Sequence, residues 1–425
     1  MLFVLLILIA LLGAPLFAVI AAGALAGFHS QDTDLSVVAI EIYRLAEMPV
    51  LIAIPLFTFA GYLLGESGSP HRLVNLSRAL LGWLPGGLAI VALGACAVFT
   101  AFTGASGVTI VALGALLYPA LKEAGYDERF NLGLLTTSGS LGLLFAPSLP
   151  LILYGVVAQQ LGLNISVGID DLFVAGLLPG LLMLVLLSGY SMLQRRQPSA
   201  EYSAADRPKV LAALRESVWE VPLPFVVLGG IYGGAFAVSE AAAVTALYVL
   251  VVEVFIRREV PLRTLPRIMR ESMVLVGGIL IILGASLAST NYLIDTEVPQ
   301  RLFEIIREYF ADKWSFLLAL NLFLLVLGML LDIFSALAII VPIILPVALY
   351  YGIHPVHLGI VFLANMQIGY FTPPVGMNLF IASYRFERPI MQLYRASLPF
   401  FFILLAAVLI ITYVPALSLG LLGQD

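Results

Sequence analysis

The residues of this sequence that could do chemistry are hydroxyl side chains beside glycines and prolines, inside long apolar stretches. Where a proline or glycine interrupts a helix, backbone carbonyl oxygens lose their partners and can bind a small hard cation. Carbonyl and hydroxyl oxygens with few carboxylates nearby favour sodium over calcium. We expect sodium ligands, from side chain or backbone, at Thr103, Ser106, Gly142, Phe145, Pro147, Asp332, Gly369, Thr372 and Met377.

A second set of residues around the same interruptions could bind an anion. A half-helix that restarts after a break directs free N–H groups and the positive end of its dipole toward a carboxylate. We expect a small carboxylate substrate between the two cation sites, at Ser138, Ser140, Ser148, Pro374, Gly376 and Asn378.

Each candidate also has a purely structural interpretation. A serine or threonine in a membrane helix often bonds the carbonyl four residues earlier, so the prediction rests on the cluster rather than on single hydroxyls. A charge such as Asp332 costs roughly 2.5–3.5 kcal/mol at the centre of a bilayer, so this residue is either a ligand or a helix cap. Glu240 follows a serine at the start of a helical pattern, which favours N-terminal capping.

The composition places the chain in a membrane. Hydrophobic residues make up 61% and charged residues 11% of the 425 residues, and the mean hydropathy is +1.06. Soluble domains carry about 25% charged residues, so lipid must be the solvent for most of this chain. We expect an all-α, multi-pass membrane protein.

Several functional classes are excluded by what the sequence lacks. Cys96 is the single cysteine, so there is no internal disulfide, and the four histidines are scattered without metal-ligand spacing. The sequence contains no catalytic triad, no paired catalytic carboxylates, no phosphate-binding loop and no basic patch with interleaved aromatic residues. It therefore predicts no enzyme, no transition metal, no cofactor apart from Na⁺ as coupling ion, and no nucleic-acid partner.

Four interrupted apolar segments must position the candidate residues. Segments 86–120 and 314–350 are each nearly two spans long and are broken in the middle by small or turn-forming residues, which predicts re-entrant helical hairpins. Segments 131–160 and 357–384 follow them and contain proline and glycine at mid-span. Each of these two, taken alone, is either a kinked helix or a helix that unwinds and restarts.

The same order of elements occurs twice in the chain. A shift of 227 residues places Gly142 on Gly369 and Pro147 on Pro374 without a gap. Paired interrupted segments in two halves favour discontinuous helices over simple kinks, and they are typical of the binding site of a secondary transporter.

The distribution of positive charge predicts the orientation of the two repeats. We read Met1 to Phe28 as a first spanning helix that starts in the cytoplasm, and we count the hairpins as non-crossing. All lysines and arginines then lie on the cytoplasmic side except Arg44, Arg301, Arg307 and Lys313. The first hairpin enters from the cytoplasm and the second from outside, so the repeats are inverted.

Two amphipathic stretches, at 68–84 and 297–312, precede the hairpins. In the second, Leu302, Phe303 and Ile306 share one helical face, with charges on the other. Such helices can lie in the membrane interface, and their matching position before each hairpin favours a lever-like arm over a solvated connector.

At these residues the chain resembles the large membrane subunit of tripartite ATP-independent periplasmic (TRAP) transporters, nearly from end to end. The motifs that carry the resemblance are Ile54-Pro-Leu-Phe, Tyr118-Pro-Ala-Leu-Lys-Glu-Ala-Gly-Tyr, Phe145-Ala-Pro-Ser-Leu-Pro, Ser239-Glu-Ala-Ala, Gly328-Met-Leu-Leu-Asp and Ile368-Gly-Tyr-Phe-Thr-Pro-Pro-Val-Gly-Met-Asn-Leu-Phe. One departure is the first hairpin tip, which reads Ser-Gly-Ser-Ser in the family and Thr103-Gly-Ala-Ser-Gly here, so one hydroxyl ligand is not carried over.

The resemblance implies an elevator-type importer of the bacterial inner membrane, with sodium sites at the hairpin tips and broken helices. It also implies two partners: a small four-helix membrane subunit, here a separate polypeptide, and a periplasmic substrate-binding protein. The corresponding domain division is 1–85 for scaffold helices and the first arm, 86–160 for the first transport-domain repeat, 161–313 for connecting and scaffold helices with the second arm, 314–384 for the second transport-domain repeat, and 385–425 for a C-terminal helix.

Two other functions remain open at this point. A self-sufficient sodium/dicarboxylate symporter is built from similar hairpins and needs no binding protein. An ion channel can contain inverted broken helices, although arm helices before each hairpin have no purpose there. The sequence does not name the substrate, for which sialic acid, C4-dicarboxylates, other sugar acids and keto acids all fit.

Overall fold

The fold is that of a computed structural model, in which residues 6, 8–9, 12–81, 84, 86–162, 167–194, 207–310 and 312–423 are described. Every regular element in these residues is helical. The α-helices of the first half are α1 Leu16–Ser30, α2 Ser36–Arg44, α3 Ala53–Glu66, α4 Ser69–Leu81, α5 Gly87–Thr103, α6 Ser106–Glu123, α7 Glu128–Ser138, α8 Leu149–Gln160, α9 Ile169–Ala175 and α10 Leu177–Gln194. Those of the second half are α11 Arg207–Glu216, α12 Pro222–Tyr232, α13 Val238–Leu250, α14 Leu265–Asp295, α15 Val298–Tyr309, α16 Lys313–Leu330, α17 Ile333–Tyr350, α18 Pro355–Gly369, α19 Met377–Phe386, α20 Ile390–Tyr413 and α21 Ala416–Leu419.

The predicted repeat is confirmed by the helix boundaries. Helices α6 and α17 begin and end at positions 227 residues apart, and α7 and α18 begin at the same offset. In each repeat a short connection separates the first two helices, and a longer non-α segment follows the third. Both predicted broken helices are therefore unwound rather than kinked.

The two repeats interlock around a local pseudo-two-fold axis. Helix α6 of the first repeat packs on α19 of the second, and α17 of the second packs on α8 of the first. Near the axis the Ser140 hydroxyl donates to the Gln367 carbonyl at 3.2 Å, and these two residues are themselves 227 apart. Each repeat thus completes the site region of the other.

A second group of helices lies beside the interlocked repeats. Helix α3 packs along α13 and α14, while α1 and α2 pack on α14. This group meets the repeats mainly where α3 contacts α5 and where α14 contacts α17. The two predicted arm helices are formed as α4 and α15, and α15 lies against α17.

Helix length and hydropathy agree with a multi-pass membrane protein. Seven helices in the described ranges are long and apolar enough to cross a bilayer, and one bent pair, Glu128–Leu144 with Leu149–Gln160, turns by 42°. Helices α16 and α17 are both among the seven. The expectation that this pair re-enters on one side therefore rests on the repeat and the charge distribution, not on the length of its limbs.

The predicted first span over Met1 to Phe28 is only partly correct. Helix α1 begins at Leu16, after a turn at residues 12–13 and after Pro15. Gly13 has a φ of +95°, a backbone conformation that interrupts a helix and suits glycine. Residues 1–5, 7 and 10–11 of that prediction lie outside the described residues.

Candidate functional site

The tip of the first helix pair contains Thr103, one of the predicted sodium ligands. Helix α5 ends at Thr103, and Gly104 turns the chain with a φ of +64°. The hydroxyl oxygen of Thr103 is buried and has no hydrogen-bond partner among the residues that the structure describes. The tip is held closely by α3, because a Cβ at Gly61 would lie 2.6 Å from the Thr103 Cα atom.

Ser106 and Asn378, predicted for different sites, form one contact between the repeats. The Ser106 hydroxyl donates to Asn378 Oδ1 at 2.7 Å, and Asn378 Nδ2 donates to the Thr136 carbonyl at 3.4 Å. Asn378 is fully buried. In this conformation its amide therefore joins α19 to α6 and α7 rather than facing open space.

The break of the first repeat packs directly against α5. A Cβ at Gly142 would lie only 2.2 Å from the Ala97 carbonyl oxygen, so only glycine allows this approach. The Thr100 hydroxyl donates to the Gly139 carbonyl at 2.9 Å. The ring of Phe145 packs on Gly180 of α10, and Pro147 is buried.

The three serines predicted to bind substrate are all buried and all donate to carbonyl groups. Ser138 bonds the Leu135 carbonyl at 3.5 Å, and Ser148 bonds the Leu143 carbonyl at 2.6 Å. Ser140 bonds the Thr137 carbonyl in addition to that of Gln367. Hydroxyl donors that are satisfied in this way can still accept a hydrogen bond or bind a cation through the oxygen.

At the tip of the second pair, Asp332 caps a helix. Its Oδ1 accepts hydrogen bonds from the backbone N–H groups of Phe334 and Ser335 at 3.0 Å each, and its Oδ2 accepts from the Ser335 hydroxyl. The capping interpretation is thus the one that the geometry supports directly. An ionised carboxylate has about four lone-pair positions, so three bonds leave one for a cation.

The break of the second repeat is joined to this tip by backbone contacts. The Gly376 N–H donates to the Met329 carbonyl at 3.2 Å, and the Ile333 N–H donates to the Tyr370 hydroxyl at 2.7 Å. A Cβ at Gly369 would lie 2.6 Å from the backbone of Gly328, which is the counterpart of the close approach at Gly142.

The two breaks differ in exposure. The first is mostly buried, whereas Pro374 and Met377 of the second are exposed. The Thr372 hydroxyl donates to the Ile368 carbonyl at 2.8 Å. The structure therefore joins Gly369 and Gly376 to residues 328–329 of the second pair, and it leaves the Pro374 side of the break exposed.

Sequence reasoning missed three buried amides in α16 and α18. Both polar atoms of the Gln367 amide are buried and have no hydrogen-bond partner among the described residues. The same is true of Asn321 Nδ2 and Asn365 Oδ1. Asn365 Nδ2 donates to Asn321 Oδ1 at 2.5 Å. The available signal was the presence of polar residues inside apolar spans, which is expensive and often functional.

Comparison with known proteins assigns the chain to a family. A family model described as "Tripartite ATP-independent periplasmic transporter, DctM component" matches residues 1–417. The chain belongs to this family. It is the large permease of a TRAP transporter, and no catalytic activity is indicated for it.

Relatives that are named for their substrates support the same assignment of this TRAP permease. The C4-dicarboxylate TRAP transporter large permease DctM of Pseudomonas aeruginosa is 35% identical over 400 residues, covering 94% of this chain and 92% of that one. The ectoine/5-hydroxyectoine large permease UehC of Ruegeria pomeroyi is 31% identical and covers 99% and 97%. The isethionate permease DctMQ of Oleidesulfovibrio alaskensis is 36% identical and covers 88% and 58%.

A solved structure shares the fold of this TRAP permease. The crystal structure of the YdaH transporter of Alcanivorax borkumensis, described as having an unusual topology, superimposes with a TM-score of 0.63. The alignment covers 91% of this chain and 88% of that one at 14% sequence identity. This likeness concerns the fold alone.

Proposed function

We propose that this TRAP permease is the membrane part of a sodium-coupled importer of small organic anions in the bacterial inner membrane. The observation that carries the proposal is the buried hydroxyl of Thr103, which has no partner among the described residues. A buried hydroxyl left unpaired costs about 1–3 kcal/mol. A sodium ion held by this oxygen and by backbone carbonyls around Gly142 and Phe145 offsets that cost.

The second repeat supports a second sodium site at the equivalent place. There the tip at Asp332 and the break from Gly369 to Met377 provide a carboxylate oxygen, a threonine hydroxyl and backbone carbonyls. Hard oxygen ligands of this kind suit a small hard cation. The substrate lies between the two sites, near Ser140 and near Ser148 and Asn378, the last two of which lie where the half-helices restart.

The substrate class follows from relatives and from the chemistry of the breaks. Relatives are named for C4-dicarboxylates, isethionate and ectoine, all small molecules with a carboxylate or sulfonate group. Half-helix N-termini favour such anionic groups. We extend this class to small carboxylates generally, including sugar acids such as sialic acid.

The transport movement that we propose is an elevator. The interlocked repeats move as one body along the group that contains α3, α13 and α14. The contact region is compact: Gly61 of α3 lies directly against Thr103, and the Ser286 hydroxyl of α14 donates to the Ala338 carbonyl of α17. Small residues at helix contacts allow backbones to approach closely.

Two partners complete the proposed importer. They are a small four-helix membrane subunit and a periplasmic substrate-binding protein that delivers the anion. The family assignment supports both, since TRAP large permeases work with these components.

Reconstitution tests the proposed function. The permease is placed in liposomes with its small subunit, and uptake of the ligand of its binding protein is measured with and without a sodium gradient. We expect uptake to rise steeply with external sodium and to persist when the proton gradient is collapsed. Uptake that is indifferent to sodium contradicts the proposal.

Omitting the binding protein distinguishes the proposed importer from the main alternative, a self-sufficient symporter. We expect little transport without it and full transport when it is added. Full activity without the binding protein indicates a self-sufficient sodium/dicarboxylate symporter instead. Non-saturable flux without counter-flow indicates an ion channel.

A further inference from the structure

A cationic cavity lies at the shared N-terminal end of helices α7 and α20, away from the proposed transport site. Its volume is about 380 Å³, and it is lined by Arg129, Met391, Gln392 and Arg395. The two helices pack side by side, and so closely that a Cβ at Gly133 would lie 2.3 Å from the Ala396 carbonyl oxygen.

Arg129 is held on the backbone of Arg395, and neither arginine has an acidic partner among the described residues. Arg129 donates through Nε at 3.1 Å and through a terminal nitrogen at 2.8 Å to the backbone carbonyl of Arg395. Neither guanidinium takes part in any of the ion pairs found among the described residues. Both side chains are exposed and line the same cavity, so an anion bound there would be attracted by two positive charges.

The neighbouring acidic residues are already engaged. Asp127 caps α7 by accepting from the backbone N–H groups of Arg129 and Phe130. Glu128 pairs with Arg388 at 2.6 Å. Neither carboxylate is paired with a guanidinium group that lines the cavity.

The position of the cavity along its helices matches the lipid headgroup layer. No charged residue follows Arg129 in α7 or Arg395 in α20, so both arginines stand where the apolar part of a helix begins. Helix α20 is apolar enough to cross the membrane. Arginine at such a boundary meets phosphate groups.

An apolar track continues from the cavity along the outside of α20. Leu398 is 42% exposed and Phe402 is 62% exposed, and their spacing from Arg395 places all three on one face of the helix. A free inorganic anion has no apolar part that could pack on this track, whereas the acyl chain of a lipid would cover it.

We infer that Arg129 and Arg395 form a binding site for the headgroup of an anionic phospholipid, with an acyl chain along Leu398 and Phe402. This site is separate from the two proposed sodium sites and does not depend on the substrate. In the conformation described here, the lipid would lie at the shared end of α7 and α20. The positive-inside distribution predicts that this end faces the cytoplasmic leaflet.

Native mass spectrometry of the full chain, released from nanodiscs of equal phosphatidylglycerol and phosphatidylcholine, tests this site. We expect the wild type to retain phosphatidylglycerol preferentially. The double variant R129Q/R395Q should retain it about 30-fold less, since each basic residue near an anionic surface contributes roughly a fivefold gain in binding. Because Arg129 also joins two helices, R395Q alone is the second test, with an expected loss of about fivefold.

The matched control is R301Q/R307Q, which removes two exposed arginines from α15 and should leave lipid retention unchanged. Equal retention by the wild type and R395Q overturns the proposal, as does an equal loss in the control. Inorganic phosphate at millimolar concentration should not displace the lipid. Displacement by phosphate would mean that the cavity binds a free anion and not a phospholipid.

Discussion

The hydroxyl of Thr103 is the residue on which the first sodium site depends most. Thr103→Val keeps the volume and removes the oxygen. In the absence of sodium the variant should be slightly more stable, by about 1 kcal/mol, because an unpaired buried hydroxyl is removed. Its apparent sodium affinity for transport should fall about tenfold, since a ligand of roughly 1–2 kcal/mol is lost. Thermal unfolding with and without sodium, together with uptake, measures both effects.

Thr245→Val is the control for this substitution. Thr245 lies in α13, outside the repeats, and its buried hydroxyl donates to the Ala241 carbonyl at 2.7 Å. Sodium dependence should be unchanged in this variant. A purely structural role for Thr103 is indicated if Thr103→Val is destabilised without any change in sodium dependence.

Asp332 caps α17 and, in the proposed function, also supplies a negative charge to the second sodium site; one substitution separates these two roles. Asparagine is about as good an N-cap as aspartate, so Asp332→Asn should keep the thermal stability of the wild type. Loss of the charge should weaken the apparent sodium affinity or abolish transport. The measurement is sodium-dependent uptake by a variant that is still folded and still bound to its small subunit. Unchanged sodium dependence would make Asp332 a cap only.

At the residue scale, the sequence predicted where the helices break better than it predicted which groups the hydroxyl side chains bond to. Glycine and proline mark the breaks because their effect on the backbone is local. The hydrogen-bond partner of a hydroxyl group, in contrast, can be far away in sequence. Ser106 bonds to Asn378, 272 positions away, and Ser140 bonds to the Gln367 carbonyl. The capping bond of Glu240 to the Ala237 N–H, 2.9 Å long, was predictable because it spans three residues.

Among the elements, the break of the second repeat is held against α16 by a contact between two glycines. A Cβ at Gly369 would lie 2.6 Å from the backbone of Gly328, so Gly369→Ala must push α18 away from α16. We expect a loss of about 1–3 kcal/mol in stability and a strong loss of transport. The control is Gly277→Ala in α14, where nothing lies within 4 Å of the added Cβ. Equal melting temperatures for the two variants would contradict this packing.

The first arm helix is fixed by a buried ionic cluster that the sequence did not reveal. Arg72 of α4 is 5% exposed and pairs with Glu220 at 2.6 Å, with Glu253 at 3.5 Å and with Glu259. These carboxylates lie more than 140 positions away in sequence, so no local sequence pattern could predict the ion pairs. The second arm, α15, instead packs through Leu302, Phe303 and Ile306.

Breaking this cluster should release the first arm. Arg72→Met leaves buried carboxylates without their cation, for which we expect about 3–5 kcal/mol of destabilisation. The exposed pair of Arg267 with Glu66 is the control, and Arg267→Met should cost about 1 kcal/mol or less. Thermal unfolding in detergent measures both. Similar effects of the two variants would show that the buried cluster does not anchor α4.

For the whole molecule, the internal repeat was the most informative feature of the sequence. It predicted two helix pairs and two unwound segments at one offset, and the boundaries of α6, α7, α17 and α18 confirm that offset. It could not predict how the repeats interlock, because the packing of α6 on α19 and of α17 on α8 depends on side-chain shapes across the axis. The N-terminal span was wrong in detail because Gly13 and Pro15 were given less weight than hydropathy.

The central claim is that each repeat supplies one sodium site and that both sites drive import together. The most direct measurement is the initial rate of substrate uptake by the reconstituted transporter, with its binding protein present, as a function of external sodium. Two coupled sites predict a sigmoidal dependence with a Hill coefficient between one and about two. In Thr103→Val the curve should shift to higher sodium. An uptake rate that is independent of sodium, in wild type and variant alike, would contradict the account.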